Sequence, residues 1–137
     1  MHVVNQLHPS AEQAAAFFTG AEDGPFVMVN LLKFREKAAY EDGSDAGLPG
    51  MAAYLRYGMK VRDMIAAVGG TPGYAGPVTG LMLGEVEDLW DMVALAEYPS
   101  LAAFRAMVTD PEYQKLARHG DAGLAGQLNI KTRGTLG

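Results

Sequence analysis

The chain has 137 residues, of which 49% are hydrophobic, so we expect a single domain over residues 1–137. It has no cysteine, which excludes disulfides and thiolate chemistry. The formal net charge is −5 and the 11 basic residues are scattered, which argues against a nucleic-acid partner. No run of about 18 apolar residues indicates a membrane helix, and residues 1–10 lack a signal-peptide pattern, so we expect a cytoplasmic protein with no membrane partner.

The first elements predicted are a short helix and a central strand. Ser10 and Gln13 have the spacing of a capping box, which predicts a helix beginning after Ser10. Residues 26–34 are apolar on both faces of a strand, apart from Asn30 and Lys33. Such a strand lies inside a sheet whose two faces are both covered.

A loop and a long helix follow this strand. Residues 35–50 contain glycines and several charges, which predicts a solvated and mobile loop. In residues 51–68, apolar side chains that include Val61 and Ile65 recur at helical spacing, which predicts the longest helix.

The second half of the chain predicts a hairpin, two helical stretches and a last strand. Residues 74–85 and 90–98 form the two hairpin strands, with a turn at residues 87–88. A helix begins after Ser100 and restarts near Asp110 and Pro111, and residues 127–132 alternate as a strand.

This order of elements is strand, helix, strand, strand, helix, strand after the first helix. It is the order of the ferredoxin-like α+β fold, whose antiparallel sheet has the strand order 4-1-3-2 and both helices on one face. We expect Val27, Val29 and Leu31 to face the helices. A second copy of the sheet is then needed to cover the other face, which predicts a homodimer in the form of a dimeric α+β barrel.

Two segments resemble the DUF1330 family, an uncharacterised family. Residues 26–34 resemble its "NLLKF" strand, and residues 97–114 resemble its "EFPS … F … DPEYQ" segment. The resemblance covers roughly residues 26–131. It implies a fold of the dimeric α+β barrel group, which also holds cofactor-free monooxygenases, haem-handling enzymes, isomerase-like proteins and proteins without known activity.

Three polar residues are candidates for catalysis. Asn30 interrupts an apolar strand, and we expect it to share a polar cavity with Glu97 and to have His119 near the rim. Each has a structural alternative. Asn30 could bond to the backbone, Glu97 could cap a helix or join a dimer ion pair, and His119 could lie at the surface near a helix C-terminus.

Four further residues are candidates for ligand binding, namely Tyr54, Tyr57, Trp90 and Asn129. Aromatic residues at helical or strand spacing are more often part of the core, and that alternative stays open for the first three. A lone histidine cannot build a metal site, and no phosphate-binding loop or dinucleotide fingerprint is present, so we expect no metal and no cofactor.

The expected function is small-molecule binding by a homodimer of the dimeric α+β barrel type. The residues leave open whether the protein is a cofactor-free enzyme, monooxygenase- or isomerase-like, or a non-enzymatic binding protein. A structural or accessory protein with a packed barrel lumen is the other alternative.

Overall fold

The computed structural model describes residues 1–20 and 24–137. Within these ranges the chain forms four helices and four strands. They are α1 (Ala11–Phe18), β1 (Phe26–Phe34), α2 (Gly50–Ala67), β2 (Thr71–Pro77), β3 (Met92–Tyr98), α3 (Leu101–Val108), α4 (Pro111–Gly123) and β4 (Leu124–Arg133). The predicted capping box is present at the start of α1, since the side chains of Ser10 and Gln13 each accept the other's backbone N–H.

The four strands form one antiparallel sheet in the order β2-β3-β1-β4, which is the predicted order read from the other edge. The central strand β1 is flanked by β3 and β4. This sheet order, together with the order of the elements along the chain, makes the structure an α+β fold of the ferredoxin-like type with one added N-terminal helix. The predicted fold is therefore confirmed.

The main core lies between one face of the sheet and helices α2, α3 and α4. Phe26 and Met28 of β1 pack there with Val61 and Ile65 of α2. The expectation that the alternate set beginning at Val27 faces the helices is wrong. Alternation along a strand places its residues on two faces, but tertiary packing determines which of the two faces the helices cover.

The opposite face of the sheet carries an apolar surface, which we call the open face. Besides the buried Val27, it carries six apolar side chains, Val29, Leu31, Val93, Leu95, Leu128 and Ile130. All six are half-buried or exposed, and none belongs to a hydrophobic core cluster of the described residues. Leu31 lies opposite both Val93 and Leu128 in the register, so three neighbouring strands present these side chains together.

The connection between β2 and β3 differs from the predicted hairpin turn. The two strands do pair, but β2 ends at Pro77, and residues 78–91 then form a long connection, which we call the excursion. Leu81, Met82 and Leu83 lie on the excursion and are 52%, 104% and 87% exposed. The prediction that residues 74–85 form a strand is correct for residues 74–77 and wrong for residues 78–85, where the apolar run 81–83 pairs with no strand of the described residues.

The loop of residues 35–50 is exposed over residues 41–47, as predicted for a solvated loop, but Ala38 and Tyr40 pack against the helices. Ala38 and Tyr40 are 6% and 7% exposed and form a small core cluster with residues of α2 and α4. The backbone N–H of Ala39 donates to the carbonyl oxygen of Ala122 at 2.9 Å. These contacts place a loop tyrosine next to the end of α4.

None of the helices in the described ranges combines the length and the apolar character that crossing a membrane requires.

Candidate functional site

Asn30 and Asn129 lie side by side on the helix-facing side of the sheet. The Asn30 amide nitrogen donates to the Ala94 carbonyl at 3.1 Å, and the Asn129 amide nitrogen donates to Asn30 Oδ1 at 2.8 Å. Asn129 also donates to Gln127 Oε1 at 3.1 Å. The three amides therefore form a ladder across β1 and β4 in which the Asn30 side chain is satisfied by the protein. A ligand role for Asn30 and Asn129 stays a prediction.

Glu97 lies on the other side of the sheet from Asn30. The register places Asn30 opposite Ala94, and Glu97 is three residues further along β3, so its side chain points to the open face. There its Oε1 accepts the backbone N–H of Leu136 at 2.7 Å. The prediction that Asn30 and Glu97 line one cavity is wrong, because Asn30 belongs to the set of β1 residues that faces the helices.

Tyr54 and Tyr57 pack in the core, which agrees with the alternative that these aromatic residues are core residues. The Tyr54 side chain is 8% exposed and its ring centroid lies 5.3 Å from that of Phe34. The hydroxyl oxygens of Tyr57 and Tyr113 are 3.1 Å apart. Burial raises the pKa of Tyr54 to about 12, with a smaller contribution from Tyr113, and burial raises the pKa of Tyr57 well above its ordinary value. These phenols are therefore neutral at physiological pH.

Trp90 lines a cavity of about 320 Å³ between the open face and the excursion. Leu31 and Val93 form its wall on the sheet side. The other lining residues come from the excursion and are Val78, Leu81, Leu83, Gly84, Glu85, Val86 and Leu89. Glu85 is the one residue of this lining with a titratable side chain. The indole N–H of Trp90 donates to Asn5 Oδ1 at 2.7 Å, which holds the ring in place.

The end of the excursion is fixed to β1 by polar contacts. Lys33 Nζ donates to the Leu89 carbonyl at 3.0 Å and lies 2.9 Å from Asp88 Oδ1. Asp91 Oδ2 accepts the backbone N–H of Phe34 at 2.8 Å. Lys33, which interrupts the apolar strand in the sequence, therefore holds the far wall of the cavity against the sheet.

His119 lies in a polar cluster on the helix side of the molecule. Its Nδ1 is 2.6 Å from the Tyr40 hydroxyl, which also accepts a hydrogen bond from Arg56 Nη1 at 3.1 Å. Arg56 Nη1 donates in turn to Asp45 Oδ2 at 2.9 Å. The guanidinium of Arg118 lies 5.5 Å from the centroid of the Tyr40 ring. These contacts join the loop of residues 35–50 to α2 and α4.

The imidazole of His119 shares its tyrosine partner with a cation. A guanidinium can only donate, so the Tyr40 oxygen accepts from Arg56, and the same oxygen shares a hydrogen bond with His119 Nδ1. Partial burial, followed by the charges of Arg118, Arg56 and Lys60, lowers the pKa of His119 below 6.5. The cluster therefore favours the neutral form of the imidazole.

The three residues predicted to be catalytic lie in three different settings. Asn30 is part of a cross-strand amide ladder, Glu97 holds the C-terminal segment on the open face, and His119 pairs with Tyr40. Among residues 1–20 and 24–137, no three or more His, Cys, Asp or Glu side chains are grouped so that they could hold a metal ion.

Comparison with known proteins places the chain in a family. The family model for DUF1330, a domain of unknown function, matches residues 48–130. The chain belongs to the DUF1330 family. No curated protein matches it. A crystal structure of a protein of unknown function from Rhodopseudomonas palustris is 31% identical, covers 96% of this chain and 98% of its own, and has a TM-score of 0.84.

More distant solved structures share the fold of this DUF1330 protein. One is a dimeric protein of unknown function with a ferredoxin-like fold from Bacteroides fragilis, 12% identical, with a TM-score of 0.55. Another is a Dabb-family protein with a ferredoxin-like fold from Mesorhizobium loti, 12% identical, with a TM-score of 0.53. Each alignment covers 81% of this chain and 97% of the other.

The sequence did not reveal Tyr40, Arg56 or Arg118 as neighbours of His119 in this DUF1330 protein. One signal was available, since Tyr40 is the single aromatic residue in the charged loop of residues 35–50. An aromatic ring in a polar loop is a reason to expect that the loop packs on the body of the domain. The two arginines carry no comparable signal, because charged residues on exposed helix positions are ordinary.

Proposed function

We propose that this protein is a homodimer that packs two copies of its sheet through the open face and binds a small apolar molecule in the adjoining cavity. The observation that carries the proposal is the set of six apolar side chains on the open face. Apolar surface of this kind marks interaction sites in soluble proteins. A second copy of the same face is the self-complementary partner that two-fold symmetry provides.

The exposed apolar tip of the excursion supports the same assembly. Met82 is 104% exposed and Leu83 is 87% exposed, although both are large hydrophobic residues. The tip is continuous with the open face, because Leu83 and the open-face residues Leu31 and Val93 line one cavity. The distant relative from Bacteroides fragilis, which has this fold, is dimeric, and this agrees with the proposal.

The dimer is tested by placing a charge on the open face. Val29→Glu brings two carboxylates together across the proposed interface, so we expect a monomer in analytical ultracentrifugation and native mass spectrometry where the wild type is a dimer. Met59→Glu is the matched control, because Met59 is 68% exposed on α2, on the other side of the sheet. A wild-type chain that sediments as a monomer at micromolar concentration contradicts the proposal.

The lining of the cavity favours binding over catalysis. Its volume of about 320 Å³ suits a small organic molecule, and its walls are almost wholly apolar. Glu85 is exposed, so it lies at the solvent side of the cavity rather than deep inside it. A flat aromatic or aliphatic ligand beside the Trp90 ring fits this chemistry best.

Ligand binding is tested with p-xylene, using the fluorescence of Trp90. The chain has one tryptophan, so its emission reports on the cavity without background. We expect p-xylene to change this emission and to raise the melting temperature of the wild type. Leu31→Phe fills the cavity and abolishes both effects. Leu128→Phe is the matched control, since Leu128 is the register partner of Leu31 and does not line the cavity.

The outcome also decides between ligand binding and a packed structural interface. If the wild-type dimer shows no response to p-xylene, the partner copy fills the cavity and the ligand part of the proposal is wrong. If Leu31→Phe responds as strongly as the wild type, the probe binds elsewhere. Native mass spectrometry of the purified dimer reports any molecule that copurifies with it.

A further inference from the structure

We propose that His119, Arg118, Arg56 and Lys60 form a second site, which binds the oxyanion of a small carboxylate or phosphate. The site lies on the helix side of the molecule, where α2, α4 and the loop of residues 35–50 meet. The apolar cavity lies on the opposite side of the sheet, so the two sites are independent of each other.

The first argument is that the site is preorganised. The Tyr40 side chain is 7% exposed, and its hydroxyl joins Arg56 to His119 through hydrogen bonds of 3.1 and 2.6 Å. Asp45 holds the same Arg56 nitrogen at 2.9 Å. A donor that is held in place before binding loses little conformational freedom when the ligand arrives.

The second argument is that donors remain without partners. His119 Nε2, the guanidinium of Arg118 and the ammonium of Lys60 form no hydrogen bond or ion pair with any residue of the described ranges. Every buried side-chain nitrogen or oxygen atom of the described residues has a hydrogen-bond partner. Because His119 Nε2 has none, it is not buried. The guanidinium and the ammonium offer only N–H donors, and so does the imidazole ring when it is protonated, which is the chemistry that an oxyanion requires.

The third argument concerns charge. Two carboxylates of the loop of residues 35–50, Asp45 and Asp42, are already engaged. Asp45 pairs with Arg56, and Asp42 accepts from the backbone N–H and the hydroxyl of Ser44 at 2.9 and 2.6 Å. Among the described residues, no carboxylate forms an ion pair with Arg118, although Asp42 lies within its electrostatic range. The positive charge around the imidazole is left for a ligand.

The pKa of His119 supports this arrangement and supplies the readout. Arg118 on its own helix and Arg56 and Lys60 on α2 add to the effect of burial in lowering this pKa. A bound anion next to Nε2 favours the protonated ring, so binding raises the pKa of His119. A purely structural Tyr40–His119 contact would not respond to an anion in this way.

The experiment follows the His119 ring proton signal by NMR in pH titrations, with the signal assigned by its loss in His119→Gln. One arm adds inorganic phosphate and the other adds benzoate, each compared with sodium chloride at equal ionic strength. We expect at least one of the two anions to raise the pKa of His119 above its value in chloride and to bind saturably. The arm that responds identifies the anion source.

Arg118→Gln removes one charged donor, and we expect it to weaken anion binding about tenfold, which corresponds to about 1.4 kcal/mol. Arg62→Gln is the matched control, because Arg62 is exposed on α2 and is not among the cations that lower the pKa of His119. The proposal is overturned if phosphate and benzoate act no differently from chloride, or if Arg62→Gln weakens binding as much as Arg118→Gln does.

Discussion

The Tyr40 hydroxyl and His119 Nδ1 lie 2.6 Å apart, although 79 positions separate the two residues in the chain. This bond joins the loop of residues 35–50 to helix α4. The same hydroxyl oxygen accepts a hydrogen bond from Arg56 of α2. One tyrosine therefore joins a loop to two helices.

The stability of the protein is expected to fall as the pH falls below about 6.5, in part through His119. Its pKa in the folded state is lowered from 6.5, by partial burial first and then by the neighbouring cations. The unfolded chain then binds the proton more readily, so this contribution is present in full above 6.5 and is lost as the pH falls towards the folded-state pKa. His119→Gln removes it. Urea unfolding at a series of pH values, in buffers free of phosphate, measures the difference.

His2→Gln is the matched control for this experiment, since His2 is exposed near the N-terminus. It should retain the wild-type dependence on pH, whereas His119→Gln should show a shallower one. Equal slopes in the wild type and His119→Gln would mean that burial and the neighbouring cations do not lower the pKa of His119 in the folded protein.

Gly123→Ala is expected to destabilise the fold by about 1–3 kcal/mol or more. A Cβ atom at Gly123 would collide with the Gly50 carbonyl oxygen and would lie 2.6 Å from the Tyr54 nitrogen, and both are backbone atoms that cannot rotate away. Helices α2 and α4 would have to separate. Gly47→Ala has nothing within 4 Å of the new atom and should change the free energy of unfolding by no more than about 0.5 kcal/mol. Chemical denaturation of both variants measures the contrast, and equal stabilities would contradict the observed helix contact.

Asp91→Ala is expected to cost about 1–3 kcal/mol, because the backbone N–H of Phe34 loses its acceptor. Asp91→Asn keeps an acceptor oxygen and should cost less. Asp88→Ala is the comparison, since that carboxylate is 74% exposed and its pairing with Lys33 contributes about 0–1 kcal/mol. Hydrogen exchange at the Phe34 amide is the direct readout, and unchanged protection in Asp91→Ala would show that this bond does not hold the excursion.

The elements that the sequence predicted well are those whose signals are local. The capping box at Ser10, the restart at Asp110 and Pro111, and the apolar stripe through Val61 and Ile65 all depend on residues within a few positions of one another. The predicted second strand lies too far along the chain, because prolines and glycines weaken the pattern of the real strand. The exposed run of residues 81–83 resembles a strand but has no partner strand among the described residues.

The sequence by itself determined the order of the elements, the α+β ferredoxin-like topology and the division of β1 into two sets of side chains. Only the tertiary structure decided which set faces the helices, and so it separated Asn30 from Glu97 and joined His119 to Tyr40. The physical reason is that periodicity is a property of one segment, whereas the face a segment buries depends on the shapes of the elements packed against it. A site assembled from a loop and two helices has no local sequence pattern that predicts it.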